Sequence, residues 1–298
     1  MPISARLVLG LTAASLFTAG WAAIPAQDKA PEIKIHPVAG TVSMLEGEGG
    51  NIGVCAGPEG ALMIDDQYAR MAPKIQVALA TLTKEPLRFL INTHWHGDHT
   101  GGNETFGALV PIVAHKNVRE RMSKPSAGRG GDKPASPPKA LPVLTFEDSV
   151  TLHCNGEEIV VHHVAPAHTD GDSIIWFKTS NVVHLGDLWF NGRFPFIDQD
   201  SGGSVRGLTK DIADLLATLP KDAKLIPGHG PLGTLEELRS YHAMLVDTQK
   251  LVADALAAGK DARAMKKDNL LAKYSSWNWE FIKADTFIDM LVREEEAK

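Results

Sequence analysis

Four side chains of metal-ligand type, His94, His96, Asp98 and His99, fall within the short run Thr93-His94-Trp95-His96-Gly97-Asp98-His99-Thr100. Imidazole nitrogen and carboxylate oxygen suit zinc, and a short loop can aim alternating side chains at one point. A loop that was merely rich in histidine would bury several polar groups without partners, which is costly. The predicted chemistry is therefore metal binding. Trp95 and Gly97 read as spacers that point away from the metals, Trp95 into packing.

Three further positions have comparable settings. His168 lies in Ala165-Pro166-Ala167-His168-Thr169-Asp170-Gly171-Asp172, Asp187 in His184-Leu185-Gly186-Asp187, and His229 in Pro227-Gly228-His229-Gly230. Each sits in a tight loop where an apolar, strand-like run stops, so that side chains from several strands can converge on one cleft. A glycine next to a ligand lets backbone approach closely. The chain has 12 histidines. His36, His115, His153, His162, His163, His184 and His242 lack both the spacing and the loop setting, with His184 at most behind a ligand. Asp65, at a strand end, can accept from the outer nitrogen of a ligating imidazole, or it can simply make a turn.

The elements that must position these residues are legible as periodicity. Strand-like runs at 38–45, 51–56 and 61–64 are separated by the Gly-rich turns 47–50 and 57–60, which predicts an antiparallel meander. Residues 72–83 carry apolar side chains at helical spacing, with Pro73 in the first turn. A strand at 87–91 delivers the His-rich motif. A short helix from Gly101 to Phe106, a strand at 110–114 and a helix at 117–122 follow. Residues 124–139 are dense in Pro, Gly, Ser and Lys and read as a long exposed loop, either a substrate cover or a solvated insertion. Asn155-Gly156 between the runs 150–154 and 157–164 is a strong hairpin signal. Strands at 173–177, 182–185 and 224–226 and a helix at 208–219 complete the second half. From Leu235 the chain reads as helical, with a break near Gly259 and an amphipathic stretch at 281–292. The pattern predicts one α/β domain, with two face-to-face sheets flanked by helices.

Composition narrows the function classes. The chain has 298 residues, a formal net charge of -6 and no long basic run, which argues against a nucleic-acid partner. Arg6 is the only charge before Asp28, and residues 7–23 are apolar and rich in small side chains. This pattern predicts a secretory signal peptide over residues 1–26, cleaved between Ala22 and Ala26, and a periplasmic or secreted mature chain without stable membrane insertion. A membrane anchor is disfavoured because Gly and Ala dilute the run and small residues close it. Residues 27–298 then form the domain. Cys55 and Cys154 are compatible with a disulfide after export, but Cys55 lies in an apolar run and reads as a buried thiol. Residues 189–196 are the most aromatic stretch, either a pocket wall with Arg193 reaching for a carboxylate or packing. Trp277, Trp279 and Phe281 in the tail read as a cover on the core.

His-x-His-x-Asp-His, followed in order by His168, Asp187 and His229 in a Pro-Gly-His-Gly setting, resembles the metallo-β-lactamase superfamily over residues 41–232. The resemblance implies an αββα sandwich of two mixed sheets flanked by helices, with two zinc ions at one edge. His94, His96 and His168 would hold the first zinc and Asp98, His99 and His229 the second, with Asp187 bridging them. Asp98 would also be catalytic, orienting the nucleophile and carrying a proton. His96 stands where flavodiiron relatives carry Glu, which favours zinc over a redox iron pair. Asp187 stands where true β-lactamases of this fold carry Cys or Ser, and instead resembles glyoxalase II, RNase Z and acyl-homoserine lactonases. No Gly-x-Ser-x-Gly nucleophile motif is present. The expectation is an exported dinuclear zinc hydrolase of a small acyl substrate. A β-lactam is the single best guess, on the strength of export, and a lactone or thioester is the alternative. A mononuclear iron persulfide dioxygenase is the other enzyme class, and the complete second ligand set argues against it.

Overall fold

Most strands are buried on both faces, which places their sheets inside layers of helix. The computed structural model describes residues 31–126, 131–164 and 166–297, so the expected signal peptide lies outside the described residues. Strands β1 (Lys34–Ala39), β2 (Val42–Glu46), β3 (Ile52–Gly57) and β4 (Gly60–Ile64) form the antiparallel meander. Helix α1 (Ala72–Leu82) returns the chain to β5 (Leu87–Ile91), which pairs parallel with β4. The short helices α2 (Gly97–Thr100) and α3 (Asn103–Phe106) lead to β6 (Ile112–His115), α4 (Lys116–Met122) and β7 (Leu144–Phe146), and these strands continue the sheet in parallel.

The second sheet starts with the hairpin β8 (Ser149–Cys154) and β9 (Glu157–His163), then adds β10 (Ser173–Phe177) and β11 (Val182–His184) antiparallel. Asn155 and Gly156 both have positive φ, 54° and 76°, as the two-residue hairpin turn requires. Helix α5 (Val205–Thr218) crosses over to β12 (Lys224–Ile226), parallel to β11. Helices α6 (Leu235–Ala257), α7 (Ala262–Lys267) and α8 (Ala284–Glu296) close the described chain. The strand orders are β1-β2-β3-β4-β5-β6-β7 and β12-β11-β10-β9-β8.

Side chains on alternate faces of a strand serve different cores. Val42, Met44, Leu62 and Ile64 from the first sheet meet Val161, Ile175, Phe177 and Val182 from the second in an inter-sheet core. The outward neighbours Leu45, Ala61 and Met63 pack on Ile75, Ala78 and Leu79 of α1. On the other side, Ile174, Val183 and Leu225 pack on α5, α6 and α8 through Leu208, Leu245 and Leu291. The result is the expected αββα sandwich.

The run 38–45, expected as one strand, is broken at Gly40 (φ 53°) into the ends of β1 and β2. β7 and the first half of β1 were not expected. They are edge strands whose residues, Phe146 apart, are exposed or half-buried, so the pattern that marks a strand is weak there. Of the expected loop, the described residues 124–126 and 131–139 are mostly exposed, and Ser126 and Lys133 form a bridge. Cys55 and Cys154 are buried free thiols. Among the described residues no helix is long and apolar enough to cross a membrane.

Candidate metal centre

β5 ends at Ile91, and the next eight residues carry the His-rich motif across one end of the sandwich. His94 and His96 leave the loop directly, while α2 turns Asp98 and His99 in beside them. His168 projects from the β9–β10 connection, Asp187 from a single 3-10 turn (Gly186–Leu188) after β11, and His229 from the loop after β12. The two halves are tied at this end. Ser173 N–H donates to Thr93 O at 2.9 Å, and Asn51 N–H donates to Gly228 O at 2.7 Å.

All the expected ligands converge. Ligand atoms of His94, His96, His168 and Asp187 lie within 4.8 Å of one another, and so do those of Asp98, His99 and His229. Asp187 joins the groups. Its Oδ2 is 3.5 Å from His168 Nε2 and 3.5 Å from His229 Nε2, and its Oδ1 is 3.1 Å from His99 Nε2. Close backbone approach makes this possible. A Cβ on Gly228 would stand 2.0 Å from Asp187 Oδ1, and a Cβ on Gly50 would stand 2.1 Å from the His99 ring.

The outer hydrogen bonds determine which nitrogen of each ring faces inward. The Thr93 hydroxyl donates to Asp65 Oδ2 at 2.7 Å, so at 2.9 Å it accepts from His94 Nδ1–H. His99 Nδ1–H donates to the same carboxylate at 2.7 Å, His168 Nδ1–H to Phe196 O at 2.6 Å, and His96 Nε2–H to Asp198 Oδ2 at 2.9 Å. Each of these imidazoles therefore turns its other ring nitrogen toward the centre, a bare lone pair wherever the ring is neutral. His96 Nδ1 and His168 Nε2 face each other at 2.8 Å, and the buried His94 Nε2 and Asp187 Oδ1 have no hydrogen-bond partner. Converging lone pairs repel, and unpartnered buried acceptors are costly. Cations satisfy both conditions, so the residues present fit a pair of divalent metal ions.

Charge within the centre is strongly coupled. Burial opposes ionisation of Asp187, but the neighbouring His99, His229 and His168 outweigh it and hold the carboxyl well below its usual range. Asp98 follows the same pattern, with His99 and His229 dominating over burial. For His229, burial favours the neutral ring, yet Asp187 and Asp98 raise its pKa to about 9. His99 is likewise raised well above the usual histidine value by Asp187, Asp98 and Asp65 against its burial. His94 is pushed well below the usual value by burial, then by His99, and His168 falls to about 4 mainly through burial. Both shifts favour the protonated rings of His99 and His229 in the metal-free protein, and a metal must displace those protons. Metal uptake at pH 7 should release about two protons, with apparent affinity rising as pH climbs toward 9. Calorimetry in two buffers of different ionisation enthalpy measures this, and a buffer-independent heat would refute it.

Asp65 combines both roles considered for it. Its φ of 62° makes the turn out of β4, and its carboxylate accepts from Thr93 N–H, the Thr93 hydroxyl and His99. His184 stays behind the site, accepting from Gly186 N–H at 3.1 Å through Nδ1 and donating Nε2–H to Asn51 O at 3.0 Å. The other histidines read as bystanders lie outside both groups; His115 and His163, for example, stack at 3.7 Å. Trp95 packs beside Val118 and Met122 as expected, and it also borders the cleft.

Two functional residues escaped sequence reasoning. Asp172 accepts from His168 N–H, Thr169 N–H and the Thr169 hydroxyl, which folds the loop that presents His168. Asp170-Gly171-Asp172 carried that turn signal. Asp198, behind His96, had no local signal at all. Its replacement by Ala should weaken metal binding by roughly 10–100-fold, because His96 loses the acceptor that orients it. Competition with a chromogenic chelator checks this, and unchanged affinity would count against the assigned tautomer.

The centre opens into a cleft of about 1280 Å³. The aromatic stretch at 189–196 serves as both packing and cleft wall: Trp189, Phe190 and Phe194 are at most 1% exposed, while Phe190, Arg193 and Phe196 line the cleft. Arg193 rests its guanidinium 5.0 Å over the Trp279 ring. Trp277 and Trp279 pack against the core as expected, but Trp279 and Phe281 also line the cleft.

Histidines and carboxylates converging at one end of an αββα sandwich define a candidate metal centre. The sequence model of the metallo-β-lactamase superfamily matches residues 45–229, and the chain belongs to that superfamily. It is 24% identical over 148 residues to metallo-β-lactamase type 2 of Bacteroides fragilis, covering 49% of this chain and 54% of that protein. It is 31% identical over 157 residues to the hydroxyacylglutathione hydrolase of Nitrosococcus oceani, covering 51% and 52%. The chain thus spans about half the length of these two relatives. A probable metallo-hydrolase of Bacillus subtilis, YqgX, matches at 27% identity over 57% of this chain and 83% of its own length. Among solved structures, the metallo-β-lactamase from Pontibacter korlensis superposes with a TM-score of 0.60 at 20% identity, over 72% of this chain and 99% of that one. DIM-1 metallo-β-lactamase gives 0.60 at 18% identity, over 74% and 100%. These structural likenesses speak for the fold.

Proposed function

We propose that this chain is an exported dinuclear zinc hydrolase that cleaves a small acyl substrate. The observation carrying this reading is the pair of complete ligand groups that share Asp187 beside an open cleft. His94, His96 and His168 would hold one ion and Asp98, His99 and His229 the other, with Asp187 placed to serve both. When bound, the ions polarise an acyl carbonyl and acidify water, lowering its pKa from about 15.7 to about 7.

The chain's own residues supply the rest. The Asp98 side chain is 24% exposed and lines the cleft, so its carboxylate is placed to orient the attacking water and to relay its proton to the leaving oxygen, nitrogen or sulfur. Asp65, Asp198 and Phe196 O keep His99, His96 and His168 aimed inward. Export rests on the N-terminal stretch 1–26.

A β-lactam remains the first substrate to test, supported by export and by likeness to the Bacteroides enzyme. A lactone or thioester is the second reading, supported by the carboxylate of Asp187 at the shared position and by likeness to hydroxyacylglutathione hydrolases. Nitrocefin, an N-acyl homoserine lactone and a thioester are assayed with and without chelator. At least one should be turned over, with a loss of roughly 100-fold or more on chelation and recovery on adding zinc. Failure of zinc-loaded protein to cleave any of the three would sink the acyl-hydrolase reading.

A further inference from the structure

Four aromatic rings run along one side of the histidine cluster. Phe190 stacks on His229 at 5.2 Å and 12°. Trp279 lies 5.7 Å from His229 and 5.9 Å from Phe190. Phe196 borders the other ligand group, 5.8 Å from His96 and 5.9 Å from His168. Phe281 closes the row, 5.4 Å from Phe196 and 5.7 Å from Trp279.

This wall is held in place. Trp279 Nε1–H donates to Phe194 O at 2.9 Å, Trp279 N–H donates to Ile282 O at 3.1 Å, and Phe194 N–H donates to Trp277 O at 2.9 Å. Arg193 over the indole adds a cation–π contact. Phe281 is nevertheless 49% exposed, at the cleft. Leaving that much apolar ring in water is unfavourable by itself, and a bound apolar group would remove the area from solvent. Trp279 and Phe281 also lie beyond the residues 45–229 that the superfamily model matches, so this part of the wall comes from the chain's own C-terminal segment.

We infer that Trp279, Phe281 and Phe196 form a subsite for an aryl or similarly planar apolar group carried beside the scissile acyl bond. Such rings accept a flat partner by offset stacking or edge-to-face contact. The inference rests on the acyl-hydrolase reading for the rest of the substrate. It makes that substrate an aryl-bearing acyl compound rather than a small aliphatic one.

Binding tests this independently of turnover. N-phenylacetylglycine and N-acetylglycine are titrated against metal-loaded protein by calorimetry, and the ratio of their Kd values is the readout. The wild type should prefer the phenylacetyl probe by about tenfold or more, Phe281→Ala should bring the ratio toward one, and Phe281→Tyr should restore it. Because Phe281 is half exposed, its variants should fold, and circular dichroism confirms this. Equal binding of the two probes by the wild type, or a ratio unaffected by Phe281→Ala, would overturn the subsite. An aryl preference in a protein that cleaves no acyl compound would overturn the hydrolase reading and leave the subsite standing.

Discussion

Replacing Asp187 by alanine should empty the whole centre. The variant is expected to retain well under one metal equivalent and to lose activity by on the order of 10⁴-fold. It should also melt lower at matched metal concentration, with roughly 3–5 kcal/mol of stability lost. The reason is position. The Asp187 oxygens lie 3.1–3.8 Å from the inward nitrogens of His94, His99, His168 and His229, so one carboxylate serves both ligand groups. In the metal-free protein it is also the main counter-charge that holds protons on His99 and His229. Without it, two buried rings with nitrogens 3.4 Å apart lose their shared partner. Metal analysis and thermal melting read this directly. A variant that keeps two metals and a wild-type melting temperature would remove Asp187 from the shared position.

Asp98→Ala should behave differently. Turnover should fall by on the order of 10³-fold or more, while about one metal equivalent stays bound. Asp98 belongs to the group with His99 and His229, and its side chain is more exposed than theirs. The group of His94, His96, His168 and Asp187 is complete without it. What disappears is one ligand together with the carboxylate that handles the water's proton. Asp98→Asn separates the two effects by keeping a ligating oxygen while removing the charge. Near-normal rates in Asp98→Ala would refute the two-metal reading.

Much of the fold was legible. Short continuous apolar runs bounded by turn residues mark buried strands such as β4 and β10, and Asn155-Gly156 marks the β8–β9 hairpin, because both signals act between residues close in sequence. The edge strands were harder to read, since half-exposed side chains leave no contrast between faces. The ligands were legible for a related reason. His94, His96, Asp98 and His99 need only a strand end and one helical turn to share a direction, and His168, Asp187 and His229 each announce a loop through adjacent Gly or Pro.

From sequence alone, then, the candidate donors and the class of site they could make were legible, because donor type and loop geometry are local properties. Tertiary structure decided the rest. Asp65 reaches His99 across 34 positions and Asp198 reaches His96 across 102, and these contacts select the tautomers that turn the lone pairs inward. Phe196 and Phe281 likewise meet only when α8 docks the tail against the second sheet. Such contacts depend on how distant segments pack, and no local periodicity records that.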